Sequence, residues 1–262
     1  MTSRHIFTVN RNSMKFINKI KTNWHDTDAH RNVRASKIIE YMQETANAQC
    51  ESSGLPLEKL RDEKKLAFIL GALSVNIYSP LHAYEDIEVR TWCKEAKSYI
   101  FNRYFEIYRG DERIAEAATT WVLIDLNTKS MVRASNYEFM SGCFYYDEPV
   151  DLSSLPPKAR IDKDAQLYEV GKRRIVYSDI DYNMHMNNTH YPDMICDFLS
   201  EMTDESSSYR VCSMSLSYVK ESHLGALLTV ERSELSDGKI LVRTLNENGE
   251  TCLDAIIGLC KE

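Results

Sequence analysis

The feature that most constrains this chain is an internal repeat. His25-Asp26-Thr27-Asp28-Ala29-His30-Arg31-Asn32-Val33 lies against Ser178-Asp179-Ile180-Asp181-Tyr182-Asn183-Met184-His185-Met186 at a fixed offset of 153, setting Asp26 against Asp179 and Asp28 against Asp181. Two identities in nine residues could be chance similarity between acidic loops. The order of elements that follows each copy is the stronger evidence. After the first copy, Ile38, Met42, Thr45, Ala46 and Gln49 form a helical stripe over 35–52, closed by Ser52-Ser53-Gly54. After the second, Tyr191, Met194, Ile195, Phe198, Leu199 and Met202 fall at helical spacing and predict one buried-face helix. Asn188 is its expected cap, and Pro192 falls in its first turn, where a missing N–H costs no intrahelical bond.

The period then changes from 3.6 to 2 in both halves. Leu73, Val75 and Ile77 alternate with Ser74, Asn76 and Tyr78, as Met214, Leu216 and Tyr218 alternate with Ser213, Ser215 and Ser217. Strand-like runs follow at Ile87–Trp92, Ser98–Tyr108 and Ala115–Asp125, and again at Leu227–Glu231, Ile240–Leu245 and Cys252–Cys260. Turn signals at Arg109–Glu112 and Asn246–Glu250 stand at corresponding places. Each half therefore reads as one long helix followed by an antiparallel meander, an α+β arrangement in which a curved sheet wraps a central helix, twice. Pro149, Pro156 and Pro157 mark residues 147–163 as an extended linker, dividing the chain into 1–146 and 164–262.

Composition narrows the function. A net charge of −7 argues against broad nucleic-acid or anionic-membrane binding, since both need a cationic surface. The N-terminus never reaches a sustained apolar stretch, so neither a secretory signal nor a membrane span is visible and a cytoplasmic protein is expected. Seven scattered cysteines without Cys-x-x-Cys predict reduced, mostly buried thiols rather than a disulfide framework or zinc ribbon, with Cys196 and Cys212 read as core residues. No Gly-x-Ser-x-Gly elbow points to a nucleophilic serine.

The segment 179–188 packs six polar or ionisable side chains just before an apolar helix. In extended conformation Asp181, Asn183 and His185 would point the same way and converge on one substrate atom. Asp and Asn before a helix also serve as plain caps and turn formers, and that reading stays open. His25, Asp26, Asp28 and His30, or Asp179, Asp181, His185 and His190, resemble ligand sets, and Asp28 and His30 could share a ligand face, but neither set has the spacing of the common zinc motifs, so no metal or other cofactor is expected.

The stretch from Ser178 to Tyr191 resembles the Asp-x-Asn-x-His-Val-Asn-Asn-x-x-Tyr signature of plant and bacterial acyl-acyl carrier protein (acyl-ACP) thioesterases, and Cys212 to Glu221 is similar to their strand ending in a catalytic glutamate. The resemblance implies two tandem hotdog domains and a thioesterase that releases free fatty acid from acyl-ACP by activated water. It assigns catalysis to Asp181, Asn183, His185 and Glu221. Met186 stands where valine is usual, and Ser222 where some plant members have cysteine, so a cysteine nucleophile cannot act there. The first half sets His30 and Asn32 against Asn183 and His185, and at an offset of 141 it sets Pro80 against Glu221. It should therefore be inactive and shape the acyl pocket.

Backbone N–H groups of Asn187, Asn188 and Thr189 are candidate oxyanion donors at the helix start. Arg31, Arg34 and Lys37, or Lys172, Arg173 and Arg174, are candidate contacts for the acidic carrier, although solvated charges explain them as well. An acyl-CoA thioesterase and a non-hydrolytic acyl-binding protein of the same fold are the alternatives. The fused halves allow a monomer or a homodimer. Strict alternation beyond Tyr218 puts Glu221 on the serine face, so either a bulge near Val219 intervenes or that face looks toward the site.

Overall fold

The computed structural model describes residues 15–94, 96–136, 150, 151, 153–203 and 208–261. The chain start, 137–146 of the expected first half and the expected linker's first residues, 147–149, lie outside the described residues.

The predicted strands are present. The first half contributes β1 (Phe16–Lys21), β2 (Leu66–Ile77), β3 (Asp86–Cys93), β4 (Ile100–Arg109), β5 (Glu112–Asp125) and the short β6 (Met131–Val132). The second contributes β7 (Tyr168–Arg174), β8 (Tyr209–Tyr218), β9 (Leu227–Arg232), β10 (Lys239–Leu245) and β11 (Thr251–Lys261). All belong to one antiparallel sheet in the order β1-β3-β4-β5-β2-β8-β11-β10-β9-β7, with β6 on β5. Read from either end, this is the same sequence of homologous strands, so the two halves join edge to edge through β2 and β8.

That joint is self-complementary. Ser74 pairs with Ser215, its own counterpart at the offset of 141, while Leu73 pairs with Leu216 and Val75 with Met214. A pseudo-twofold axis therefore passes through Ser74 and Ser215, whose hydroxyl oxygens lie 3.3 Å apart. Leu73, Val75, Met214 and Leu216, together with Ile107, Val230 and Ile257, form one continuous core across both halves.

Helix α1 (Ala35–Ser52) spans the length its stripe predicts and buries Ile38, Met42, Thr45, Ala46 and Gln49. It stops at Gly54, whose φ of +74° suits a residue without a Cβ. A short helix, α2 (Leu57–Asp62), follows and leads into β2.

The second helix departs from expectation. It runs only from His190 to Cys196 (α3) and resumes at Ser200–Thr203 (α4). Phe198 and Leu199 donate back three residues, to the carbonyls of Ile195 and Cys196, tightening the turn. The break sets Phe198 against Gly171 of β7, where a Cβ would lie 2.5 Å from its ring. Pro192 is thus the third helical residue, and Thr189 rather than Asn188 precedes the first turn.

The serine face of β8 has a definite use. Ser215 and Ser217 each donate a 2.7 Å hydrogen bond, to the carbonyls of Pro157 and Ala159. Asp254 accepts the Ile161 N–H, and Arg243 donates to the Ile161 carbonyl. Ala159 and Ile161 are buried, so this part of the segment read as a linker is docked on the sheet.

The cysteine expectation requires a correction. Cys212 and Cys260 are joined by a disulfide, with Cα atoms 5.8 Å apart. Val211 pairs with Leu259 and Ser213 with Gly258, which leaves Cys212 as the extra residue of a bulge beside Cys260. Two thiols 48 residues apart meet because β8 and β11 are neighbours, which spacing along the chain does not reveal. Cys50 and Cys252 are buried, and Cys93 and Cys196 are half-buried. Among the described residues, no helix is long and apolar enough to cross a membrane.

Replacing Ser215 and Ser217 together with alanine removes both hydrogen bonds to the 157–159 segment and should lower unfolding stability by about 2–4 kcal/mol. Urea denaturation measures this; a loss under about 0.5 kcal/mol would mean that the serines do not hold the segment.

Candidate active site

The second copy of the repeat is a tight turn built by its aspartates. Buried Asp179 accepts the Val176 N–H at 2.8 Å, pairs with Arg173 at 2.8 Å, and through its carbonyl accepts the Asn187 N–H. Asp181 Oδ1 accepts the Asn183 N–H at 2.8 Å, while the Asp181 N–H donates to the His185 carbonyl at 3.0 Å. Met184 takes the left-handed conformation at φ +66°. The expected extended stretch is therefore corrected: Asp181, Asn183 and His185 share one recess because the chain folds back, not because alternate residues of a strand share a face.

The first copy has the same backbone design. Asp28 Oδ1 accepts the N–H groups of His30 and Asn32, the Asp28 N–H donates to the Asn32 carbonyl, and Arg31 has φ +69°. The paired aspartates build the turn. What the two halves display on it differs.

Glu221 arrives by way of a bulge. The N–H groups of Val219 and Lys220 both donate to the Cys252 carbonyl, at 2.8 and 3.1 Å, which shifts the alternation after Tyr218 and turns Glu221 off the serine face. The next residues are joined to the turn: Met186 N–H donates to the Ser222 carbonyl, His185 bridges His223, and the Tyr191 hydroxyl donates to Ser222 Oγ at 2.9 Å. Ser222, buried by this contact, is a structural anchor. The result is a His185 Nε2 to Glu221 Oε2 distance of 3.1 Å.

These groups line an open recess of about 610 Å³ that also includes Asp181, Asn183, Asn188, His223 and, from β2 of the first half, Phe68 and Leu70. Burial lowers the pKa of His185; nearby Glu221 and Asp181 oppose this, while the His223 ring, 4.7 Å away, and Lys129 reinforce it. His185, Glu221 and His223 offer donor atoms within 4.8 Å of one another and could hold a divalent cation. A smaller, mainly apolar cavity lies in the first half, bounded by Ala46, Cys50, Leu57, Phe101 and Trp121, and Phe68 lines both it and the recess.

At the corresponding place in the first half, Asp28, His30, Asn32 and Pro80 line a separate cavity of about 210 Å³. No carboxylate stands where Pro80 lies.

Two expectations narrow. Of the three candidate oxyanion donors, Asn187 N–H is taken by Asp179 and Thr189 N–H by Asn187 Oδ1, leaving Asn188. Of the cationic clusters, Arg34 lines the first-half cavity and pairs with Asp193, and Lys37 pairs with Glu40. Arg31 belongs to the same first-half turn and is exposed. Lys172, Arg173 and Arg174 lie on β7, and Arg174 donates to the Gly225 carbonyl, close in sequence to His223. Arg173 is committed to Asp179.

Sequence reasoning missed His223 and Arg61. His223 stands two residues after Glu221, a spacing that could have suggested it. Arg61 of α2, whose guanidinium donates to Asn183 Oδ1, carried no signal.

Comparison with known proteins follows the two halves. The acyl-ACP thioesterase N-terminal domain profile matches residues 13–141, and the acyl-ACP thioesterase C-terminal domain profile matches residues 163–257. The fold is similar to that of an acyl-ACP thioesterase from Bacteroides thetaiotaomicron, with a TM-score of 0.80 at 20% identity over 93% of this chain and 97% of that one. It is also similar to the 12:0-ACP thioesterase from Umbellularia californica, with a TM-score of 0.78 at 14% identity over 95% and 98%. At such identities the structural likeness speaks for the fold alone.

With its pKa lowered, His185 is neutral at and above the ordinary imidazole value of 6.5 and gains its proton only at lower pH. The acid limb of kcat/KM set by this group should therefore fall below pH 6.5. Substituting His223→Gln removes one depressing charge and should move the limb to higher pH. A limb that stays in place or moves lower in the variant contradicts the assignment.

Proposed function

The chain belongs to the acyl-ACP thioesterase family, its two halves matching that family's N- and C-terminal domains, and it hydrolyses fatty acyl-ACP; from this premise we propose that the 164–262 half performs the chemistry and the 1–146 half receives the acyl chain. One observation carries the reading: the contact of His185 Nε2 with Glu221 Oε2 at 3.1 Å, in a recess shared with Asn183.

Thioester hydrolysis needs a water made nucleophilic and a place for the charge that develops on the carbonyl oxygen. Glu221, or His185 in concert with it, takes the proton of a water in the recess. The hydroxide equivalent adds to the thioester carbon, and the C–S bond breaks as the proton passes to the departing pantetheine sulfur. Asp181 holds the turn that presents Asn183 and His185, and Asn183 holds the water or the carbonyl oxygen. The Asn188 N–H is the oxyanion donor that the geometry favours.

The acyl tail runs past Phe68 toward Ala46, Cys50 and Trp121, a route supported by the residue common to recess and apolar cavity. Lys172 and Arg174 meet the acidic carrier on the same side as the 222–226 segment. One chain supplies every group this scheme uses, so a monomer suffices for catalysis.

Substitution His185→Ala or Glu221→Ala should lower kcat on acyl-ACP by about 10²–10⁴-fold with little change in KM. Turnover at the parent rate would remove the site assignment. Dialysis against a chelator should leave the rate unchanged; a loss restored by zinc would instead make His185, Glu221 and His223 metal ligands. On acyl-ACP and acyl-CoA of matched chain, kcat/KM should favour the carrier protein, and equal values would exclude the docking role of β7.

A further inference from the structure

We propose that Arg61, from the half without catalytic residues, is a positioning residue that fixes the side-chain amide of Asn183 with its Nδ2 toward the thioester carbonyl. The inference rests on the site reading above and goes beyond it by deciding which of two tasks Asn183 performs.

Arg61 reaches the site because α2 is anchored beside it. Leu60 is buried in a small apolar cluster with Leu66, Leu123 and Val132, which fixes the helix against the start of β2 and the end of β5. The neighbouring Arg61 extends its guanidinium across the joint between the halves, donating through one terminal nitrogen to Asn183 Oδ1 and lying with its central carbon 5.2 Å from the Tyr182 ring centre.

The chemistry of the two groups sets the orientation. A guanidinium has only donors, so the atom it touches must be the amide oxygen. The Asn183 backbone N–H is already given to Asp181. What remains of Asn183 is the Nδ2 group, which donates to no partner among the described residues, on a residue that lines the recess. An Nδ2 donor suits the carbonyl oxygen, which only accepts, and the nearby positive charge polarises the amide so that its N–H bonds strengthen as negative charge develops. This matters because Asn187 and Thr189, two of the three backbone candidates for that task, are engaged elsewhere.

Among the described residues, the first-half turn carries His30 where the second carries Asn183, so it offers no side-chain amide at that place. The pseudo-twofold axis relates α2 to α4, which presents Met202 and Thr203 to the cavity holding Asp28, His30 and Asn32. Arg34 and Arg210 line that cavity too, but they are held by Asp193 and by the Ile77 and Tyr78 carbonyls, whereas Arg61 is held on Asn183.

The test is a mutant cycle measured as kcat and KM on acyl-ACP. Removing a donor that stabilises an oxyanion typically costs about 10²–10³-fold in kcat, so Asn183→Ala should fall in that range. Asn183→Asp, which keeps an acceptor for Arg61 but has no Nδ2, should fall with it. Arg61→Ala should lower kcat about 10-fold or more with KM unchanged, Arg61→Lys should recover part of the loss, and Arg61→Ala added to Asn183→Ala should cost nothing further. Losses that multiply in the double variant overturn the inference. So does an Arg61→Ala that raises KM alone, which would make the cation a binder of the carrier or its phosphopantetheine. Activity retained in Asn183→Asp overturns it too. Parental kcat in Asn183→Ala would instead sink the site reading on which it rests. Urea midpoints are compared throughout, and if Arg61→Ala unfolds, Arg61→Met keeps the stem and serves in its place.

Discussion

The antiparallel pairing of β2 with β8 is the constraint on which the rest depends. Because Ser74 meets its own counterpart Ser215, each half of the repeat faces the other around one axis, and the opening residues of β2 and of β8 each approach the turn of the opposite half. Phe68 and Leu70 therefore border the recess that holds His185, while Arg210 and Val211 border the cavity that holds His30. A fused repeat achieves internally what two identical subunits achieve by isologous contact, and it frees the two copies to diverge.

Divergence kept the backbone and changed the side chains. Asp28 and Asp181 each accept the N–H two residues on and donate to the carbonyl four residues on, and Arg31 and Met184 occupy the same left-handed position. Only the second turn meets a carboxylate from a bulged strand end. Where the second half bends at Val219 and Lys220 to deliver Glu221, the first has Pro80. The proposed division of labour, chemistry in one half and acyl accommodation in the other, rests on that difference between two turns of matching backbone.

Much of this was legible in the residues, for identifiable reasons. The period change after each helix stripe located the strands, and α1 runs from Ala35 to Ser52 because its apolar spacing is unbroken. The conflict between alternation and Glu221 left two alternatives, a bulge near Val219 or a serine face turned to the site, and the bulge is present. Other features depend on long-range packing. The stripe from Tyr191 to Met202 continues across a helix break, since a tightened turn hardly alters which face is buried. The Cys212–Cys260 bond reflects strand adjacency, the docked 157–161 segment depends on side chains 58 residues later in the chain, and Arg61 reaches Asn183 over 122 residues. Local periodicity carries no trace of such contacts.

Of the two turns, the second is the one proposed to do the chemistry. A crystal structure with a non-hydrolysable acyl-pantetheine amide bound tests it most directly. The amide carbonyl should lie beside Asn183, His185 and Glu221, with the acyl tail passing Phe68 into the first half. A carbonyl seated beside His30 and Pro80 would contradict it.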